Sequence, residues 1–139
     1  MKRNLFLGLT ALALALVINV PFAAAQSAKA NVPFDFAIAG KTMPAGTYTV
    51  SEISDSQIRV ANTESTATLL MRAQREERLD YQSAKMVFHK YGDKYFLAEV
   101  WNGAGATGLH IPASKWEEEI KSEYRAAGPH MEEVVVALR

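Results

Sequence analysis

The stretch from Ala84 to Asn102 constrains the fold of this chain more than any other. It contains two apolar, strand-like runs joined by Gly92-Asp93. A two-residue connection with glycine first is typical of a type II′ β-hairpin turn, because glycine adopts the first central conformation without steric cost. The turn also sets the pairing of the two strands, and it predicts that His89 lies opposite Phe96.

Both faces of this predicted hairpin carry apolar side chains. The same register places Ala84 opposite Trp101, and side chains then alternate between the two faces of each strand. One face is predicted to contain Met86, Phe88, Tyr95, Leu97, Glu99 and Trp101. The other face is predicted to contain Val87, His89, Phe96, Ala98 and Val100. Because both faces are apolar, we expect the hairpin to lie in the centre of a sheet.

The N-terminal residues have the pattern of a secretory signal peptide. A short basic start is followed by an apolar run from Leu5 to Val20 and by the small residues Ala23-Ala24-Ala25. This order predicts a signal peptide at 1–25 and one β-rich domain at 26–139. A retained membrane anchor is the alternative, but the run is slightly short for the roughly 20 residues that a span needs. We therefore expect an exported protein, periplasmic or extracellular, without a membrane span in its mature form.

Charge and cysteine content exclude several classes of protein. Cleavage after Ala25 leaves 114 of the 139 residues, with 13 basic against 15 acidic side chains. A nucleic-acid partner would require a basic surface, so none is predicted. The chain contains no cysteine, which excludes a disulfide framework. Its stability must come from packing and from sheet hydrogen bonds.

Short alternating segments predict strands along most of the remaining chain. The segment from Gln26 to Ala30 is interpreted as a loose lead-in, and the charged segment 74–82 as a loop or a helical turn. We predict seven strands, of which two form the central hairpin. The other five are Asn31–Ala39, Thr47–Ile53, Gln57–Asn62, Thr66–Ala73 and a last, interior strand around Val134–Val136. Such spacing indicates an antiparallel sandwich or a small barrel.

One amphipathic helix is predicted before the last strand. Ser114 and Glu117 have the spacing of a capping box, and Gly128-Pro129 gives a stop signal. Glu117 is also spaced for an i,i+4 pair with Lys121. Three apolar residues recur every four positions and should pack on the sheet face formed by Val87, Phe96 and Val100; they are Trp116, Ile120 and Tyr124.

Motifs that would indicate catalysis, phosphate binding or metal binding are missing from the sequence. The three histidines, His89, His110 and His130, have neither helical metal spacing nor a nearby cysteine. His89 is interpreted as a packed histidine with one satisfied nitrogen. The run Glu117-Glu118-Glu119 is interpreted as a solvated helix face, because consecutive helical residues point about 100° apart. No catalytic, cofactor-binding or metal-binding residue is predicted.

Three residues of the hairpin are candidates for a ligand pocket. Glu99 is an unusual residue for an apolar face, so it lies at the edge of the core, is paired, or lines a cavity. Tyr95 and Trp101, predicted on the same face, could stack on a sugar or on a small apolar ligand. Ordinary core packing of the two aromatic rings is the alternative.

Three segments together resemble a group of small secreted bacterial proteins that is abundant in acidobacteria. They are NVPFDFAIAGKTMPAGTYTV, KMVFHKYGDKYFLAEVW and LHIPASKWEEEIKSE. The group has a PAGTYTV-type strand, an FHRYG-type hairpin and a Leu-Pro-x-Ser helix start, which is Ile111-Pro112-Ala113-Ser114 in this chain. The resemblance implies export and an all-β fold with a helix, and it transfers no functional residue.

Two hypotheses for function remain open from the sequence. The first is a non-catalytic exported β domain that acts as a structural or surface-interaction module. The alternative is a small-ligand-binding barrel, or carrier, with an interior cavity. An enzyme is disfavoured because no catalytic motif is present, although active sites can form from residues that are distant in sequence. A sizeable cavity would favour the carrier.

Overall fold

The structure, a computed structural model, describes residues 27–77, 83–103 and 107–139. The described residues form eleven strands and one helix. The strands are β1 (Ser27–Val32), β2 (Phe36–Ile38), β3 (Lys41–Met43), β4 (Gly46–Ser54), β5 (Gln57–Asn62), β6 (Thr68–Arg72), β7 (Gln74–Glu77), β8 (Lys85–Tyr91), β9 (Lys94–Trp101), β10 (Thr107–His110) and β11 (Glu132–Ala137). Helix α1 (Lys115–Ala127) precedes β11.

The strands form two sheets. The smaller sheet has the order β1-β4-β5-β6, and all its neighbours are antiparallel. The larger sheet has the order β11-β8-β9-β10-β7. Strand β2 pairs with β3 and, in parallel, with the first half of β9. The hairpin β8–β9 therefore lies in the centre of the larger sheet, which confirms the sequence prediction.

The main hydrophobic core lies between the two sheets. The smaller sheet contributes Val32, Tyr48, Ile58 and Val60, each of which is completely buried. The larger sheet contributes a second set of buried residues: Met86, Phe88, Leu97, Val100 and Leu109. Edge-to-face contacts connect the aromatic rings of this core, with the Phe36 centroid 5.1 Å from Tyr48 and 5.2 Å from Phe88.

The two sheets are connected at both sides. On one side, Lys29 and Arg139 exchange two backbone hydrogen bonds of 2.8 Å, so β1 is joined to the residues that follow β11. On the other side, the chain passes from β6 into β7 through the buried residue Ala73. The architecture is a sandwich of two sheets and not a closed barrel, which decides between the two predicted alternatives.

The turn of the central hairpin has the expected geometry. Gly92 has a φ of 64°, and Asp93 does not have a positive φ. A positive φ at the first central position alone is what a type II′ turn requires. Near the turn the predicted register is confirmed, with Tyr91 opposite Lys94 and His89 opposite Phe96.

Helix α1 begins and ends where the sequence predicts. The Ser114 hydroxyl accepts a hydrogen bond of 3.2 Å from the backbone N–H of Glu117. Gly128, at φ 93°, ends the helix in the left-handed conformation. The helix packs on the outer face of the larger sheet, with the ring of Trp116 5.2 Å from Phe96. Val100 points into the core instead, so the predicted packing face is right for Phe96 and wrong for Val100.

The structure changes three strand predictions near the chain ends. The segment Ser27–Val32 is a strand and not a loose lead-in, because Ala30 and Val32 are buried against β4. The predicted strand Asn31–Ala39 is interrupted after Val32, where Pro33 contributes no N–H to a ladder. Among the described strands, β11 pairs only with β8 and lies at a sheet edge. The predicted interior position was wrong because a β-branched run favours a strand without specifying how many neighbours it has.

The charged segment after β6 is also corrected in part. Gln74–Glu77 is an edge strand that pairs with β10, and edge strands of natural proteins commonly carry charge. The rest of that segment lies outside the described residues, as do the predicted signal peptide and residues 104–106. Among the described residues, no helix is long and apolar enough to cross a membrane.

Candidate functional site

A β-bulge in β9 determines which way Glu99 and Trp101 point. Phe88 pairs with Leu97, but Val87 pairs with Glu99, so Ala98 has no counterpart on β8. The extra residue shifts the register by one and turns all later side chains of β9 to the opposite face. The prediction that Glu99 and Trp101 share the Met86–Leu97 face is therefore wrong.

Both residues lie on the outer face of the larger sheet, away from the main core. Trp101 pairs with Lys85 and not, as predicted, with Ala84. The Trp101 indole Nε1–H donates a hydrogen bond of 2.8 Å to Glu99 Oε2. Only 8% of Glu99 and 1% of Trp101 is exposed to solvent. Glu99 is thus a buried carboxylate with a specific hydrogen-bond donor, which was one of the expected explanations for its position.

Strand β10 leaves room for the Trp101 ring. Gly108 pairs with Trp101 across the two strands, and a Cβ atom on Gly108 would lie 2.5 Å from the indole ring. Real Cβ atoms do not approach that closely, so the indole occupies the space that a side chain would take. Gly108 is therefore required for the close packing of β10 against the indole ring.

Two further polar side chains approach Glu99 from neighbouring strands. His110 of β10 pairs directly with Glu99, and Glu76 of β7 lies diagonally across from His110. One ligating atom from each of these three side chains lies within 4.8 Å of the others. They line a surface recess of about 390 Å³ together with Gln74 and Arg75. We call these three residues the Glu-Glu-His cluster.

Tyr95 is separated from the other two pocket candidates. Its ring stacks on Phe34 at a centroid distance of 3.9 Å and packs against the main core. The structure brings Glu99 and Trp101 together, and it places Tyr95 on the opposite face of the sheet. A single pocket that uses all three residues does not form.

A cleft at one end of the sandwich was not predicted from the sequence. It has a volume of about 260 Å³ and lies between the two sheets. Four of its lining residues are apolar and two at the rim are polar: Ala28, Val50, Val100 and Leu138, with Glu52 and Asn102. The Asn102 amide donates to Glu52 Oε1 at 3.3 Å, and Arg75 Nη2 lies 3.9 Å from Glu52 Oε2.

The other two histidines have separate environments. His89 Nδ1 lies 3.0 Å from Glu117 Oε1, which agrees with its interpretation as a packed histidine with a satisfied nitrogen. Glu117 is only 5% exposed, so it does not belong to a solvated face, and Lys121 contacts Glu118 at 3.8 Å instead. His130 is exposed after the helix.

Sequence reasoning missed the Glu-Glu-His cluster and the cleft for the same reason. The members of each site come from strands that are distant in sequence and adjacent only in the folded sheets. The one available signal was Glu99, a carboxylate inside an apolar run. Comparison of the chain with protein-family models, with curated proteins and with solved structures finds no match.

Proposed function

We propose that this chain is an exported, non-catalytic binding module that takes a small ligand into the cleft at the end of the sandwich. The observation that carries the proposal is the cleft itself, because it combines apolar walls with a polar rim. Ligand sites in proteins are mostly apolar concavities with a few convergent polar groups. The cleft has this composition, although its volume is small.

The size of the cleft limits the ligand to one ring or a short chain. Its volume of about 260 Å³ exceeds the roughly 150 Å³ that accommodates benzene in an apolar protein cavity. It lies below the range of roughly 300–1,000 Å³ that is usual for larger, drug-sized ligands. The Glu52 carboxylate at the rim already contacts Asn102 and Arg75. Its remaining lone pairs can accept a hydrogen bond from an ammonium or hydroxyl group of the ligand. A sugar is less suited, because the four apolar lining residues would leave its other hydroxyls without partners.

Titration of the protein with three matched probes tests this proposal. The probes are benzylamine, benzyl alcohol and toluene, followed by two-dimensional amide NMR of isotope-labelled protein. We expect saturable shifts at Ala28, Val50 and Val100, with benzylamine binding most tightly. A dissociation constant of about 1 mM corresponds to roughly −4 kcal/mol, a reasonable value for so small a ligand.

Substitutions inside and outside the cleft show whether the probes bind there. Ala28→Leu fills the cleft and should abolish the shifts, whereas Ala61→Leu adds the same volume on β5, outside the cleft, and should not. Glu52→Gln should weaken benzylamine and leave toluene unchanged. Binding that persists in Ala28→Leu, or that ignores Glu52→Gln, would contradict the proposal.

A purely structural or surface-interaction module is the second candidate. It is supported by exposed apolar side chains on two of the edge strands of the sandwich, since Leu70 of β6 and Val135 of β11 are each 56% exposed. On this alternative none of the three probes binds saturably to the wild-type protein. The titration therefore distinguishes the two functions.

Export is part of the proposal and has its own test. The N-terminal pattern supports cleavage after Ala25, so the secreted protein should begin at Gln26. Intact-mass measurement of material recovered from the periplasm or the medium checks this expectation. A full-length species that requires detergent for extraction would contradict it.

A further inference from the structure

We infer that the Glu-Glu-His cluster binds one divalent first-row transition-metal ion, with Glu76, Glu99 and His110 as its protein ligands. The sequence indicates no such site, because the three residues lie in three different strands. The inference concerns the outer face of the larger sheet and is independent of the cleft, which lies on the inner face.

The distances within the cluster suit a shared ion. The three ligating atoms lie within 4.8 Å of one another. Zinc bonds to carboxylate oxygen and imidazole nitrogen are about 2.0–2.2 Å long, so two ligands of one tetrahedral ion are about 3.3–3.6 Å apart. Side-chain rotations that move each atom by about an ångström close the difference, without any change in the strands.

The strands hold the cluster in place. Glu76, His110 and Glu99 belong to β7, β10 and β9, which are consecutive neighbours in one hydrogen-bonded sheet. Sites that are built on strands have better-defined geometry than sites on loops, because the backbone of each ligand is fixed by the ladder. Only a side-chain adjustment is then required when the ion arrives.

Trp101 makes the kind of hydrogen bond to a ligating side chain that orients ligands in most metal sites. Its indole N–H donates to Oε2 of Glu99 at 2.8 Å, which orients the carboxylate and makes it a more directional ligand. Hydrogen bonds of this kind are typical of carboxylate ligands, and losing one commonly reduces metal affinity about 10–100-fold. Gly108 contributes indirectly, because it provides the space for the indole ring.

The charges around the cluster are mixed. The two glutamate carboxylates lie close together, and the cationic side chain of Arg75 lines the same recess. A divalent cation between the two carboxylates reduces their mutual repulsion. The donor set also limits the choice of ion, since imidazole suits zinc, iron, nickel and copper, and carboxylate suits manganese and magnesium. The mixture points to zinc, manganese or ferrous iron in preference to magnesium or calcium.

Calorimetric titration with zinc chloride tests the inference. The protein is purified without a histidine tag and is treated with a chelator before the titration. We expect one ion per chain with micromolar or tighter affinity, and at least tenfold weaker binding of magnesium. His110→Ala and Glu99→Gln should each lower the zinc affinity at least tenfold, whereas His130→Ala should leave it unchanged.

A spectroscopic measurement locates the ion independently of affinity. The sequence contains two tryptophans, so Trp116→Phe leaves Trp101 as the only indole. Titration of this variant with cobalt, which quenches nearby indoles, should reduce Trp101 emission with the same stoichiometry as zinc. Circular dichroism first establishes that each variant is folded, and Glu76→Gln replaces any variant that is not.

Three results would overturn the inference. They are zinc binding that His110→Ala leaves unchanged, zinc binding that His130→Ala abolishes, and the absence of saturable binding at millimolar zinc. The inference would also be contradicted if cobalt quenched Trp101 emission to the same extent with and without the His110→Ala substitution.

Discussion

Ala98 is a small residue with a large effect on the surface of this protein. As the extra residue of the bulge in β9, it turns Glu99 and Trp101 away from the core and brings Val100 into it. Its carbonyl accepts a hydrogen bond of 2.8 Å from the N–H of Ile111, so the carbonyl of the bulged residue is paired. The bulge thereby places a carboxylate and an indole beside His110.

Gly108→Ala tests how tightly the indole of Trp101 is packed. The new Cβ would meet the ring at 2.5 Å, and overpacking of this kind typically costs about 1–3 kcal/mol. We expect a loss of this size in chemical denaturation.

Repeating the Gly108→Ala substitution in a Trp101 variant tests whether the indole ring causes the loss of stability. In the presence of Trp101→Leu, the same Gly108→Ala change should cost much less, because the smaller side chain leaves space for the methyl group. Equal costs in both backgrounds would mean that the backbone of β10, and not the indole, is sensitive to the substitution.

Two buried tyrosines make the fold sensitive to alkaline pH. Burial raises the pKa of Tyr48, and the nearby Asp35 carboxylate raises it further, against the opposing effect of a hydrogen bond with Asn62. Burial also raises the pKa of Tyr91, together with the charges of Glu117 and Glu118. Both phenols stay protonated in the folded state at a pH where they ionise in the unfolded chain.

The direction of the pH effect follows from the proton balance. Above the ordinary tyrosine pKa of 10.0, the unfolded chain binds fewer protons than the folded one, so the free energy of unfolding decreases as pH rises. The contribution of the two tyrosines is fully present below that pH. Melting temperatures measured from about 1 unit below to about 1.5 units above that pH should fall more steeply for wild type than for Tyr91→Phe. Parallel curves would contradict the assignment.

At the scale of the element, the carboxylate of Glu117 attaches helix α1 to the sheet. The capping-box pattern predicts a different partner for this carboxylate. In a capping box the N3 glutamate returns to the N-cap backbone. Here Glu117 lies 3.0 Å from His89 of β8 and is buried against the sheet. The rings of Tyr91 and Tyr124, 5.7 Å apart, make a second contact between the two elements.

Glu117→Ala measures the contribution of this attachment. The substitution leaves a half-buried imidazole without its partner, and such losses typically cost about 1–3 kcal/mol. Glu118→Ala is the matched control, because Glu118 follows directly on the same helix and is exposed; its cost should be within about 0.5 kcal/mol. If both variants unfold at the same denaturant concentration, the pair between His89 and Glu117 does not hold the helix on the sheet.

At the scale of the whole molecule, the last two residues join the two sheets. Leu138 is buried in the core and lines the cleft. Arg139 makes the two backbone hydrogen bonds to Lys29 of β1.

Strand β9 connects the two proposed sites. Val100 lines the cleft, and its neighbour Glu99 belongs to the Glu-Glu-His cluster on the other face of the sheet.

Deletion of Leu138 and Arg139 should destabilise the protein substantially. The loss of a buried leucine side chain alone typically costs about 2–5 kcal/mol, and the backbone pair to β1 is lost as well. Arg139→Ala keeps that backbone pair, so its cost should be within about 0.5 kcal/mol. A deletion variant that melts together with Arg139→Ala would show that this junction contributes nothing to stability.

Short-range sequence patterns were sufficient to predict the central hairpin and the helix of this protein. Gly92-Asp93 set the central hairpin, and Ser114 and Gly128 set the two ends of the helix, because turns and caps depend on the conformations of a few consecutive residues. Alternation predicted most strands of the smaller sheet. It failed for Ser27–Val32, where alanines give a weak apolar signal, and for Gln74–Glu77, where charge on an edge strand resembles a loop.

The register beyond the bulge, the neighbours of each strand and the two sites depend on long-range packing. A single extra residue at Ala98 reverses every later side chain of the strand, and nothing in the local pattern distinguishes Ala98 from its neighbours. The Glu-Glu-His cluster and the cleft both depend on strands that meet across long sequence separations. Such pairings are set by the free energy of the assembled sheets, to which all strands contribute together, and for this reason no short segment of the sequence contains them.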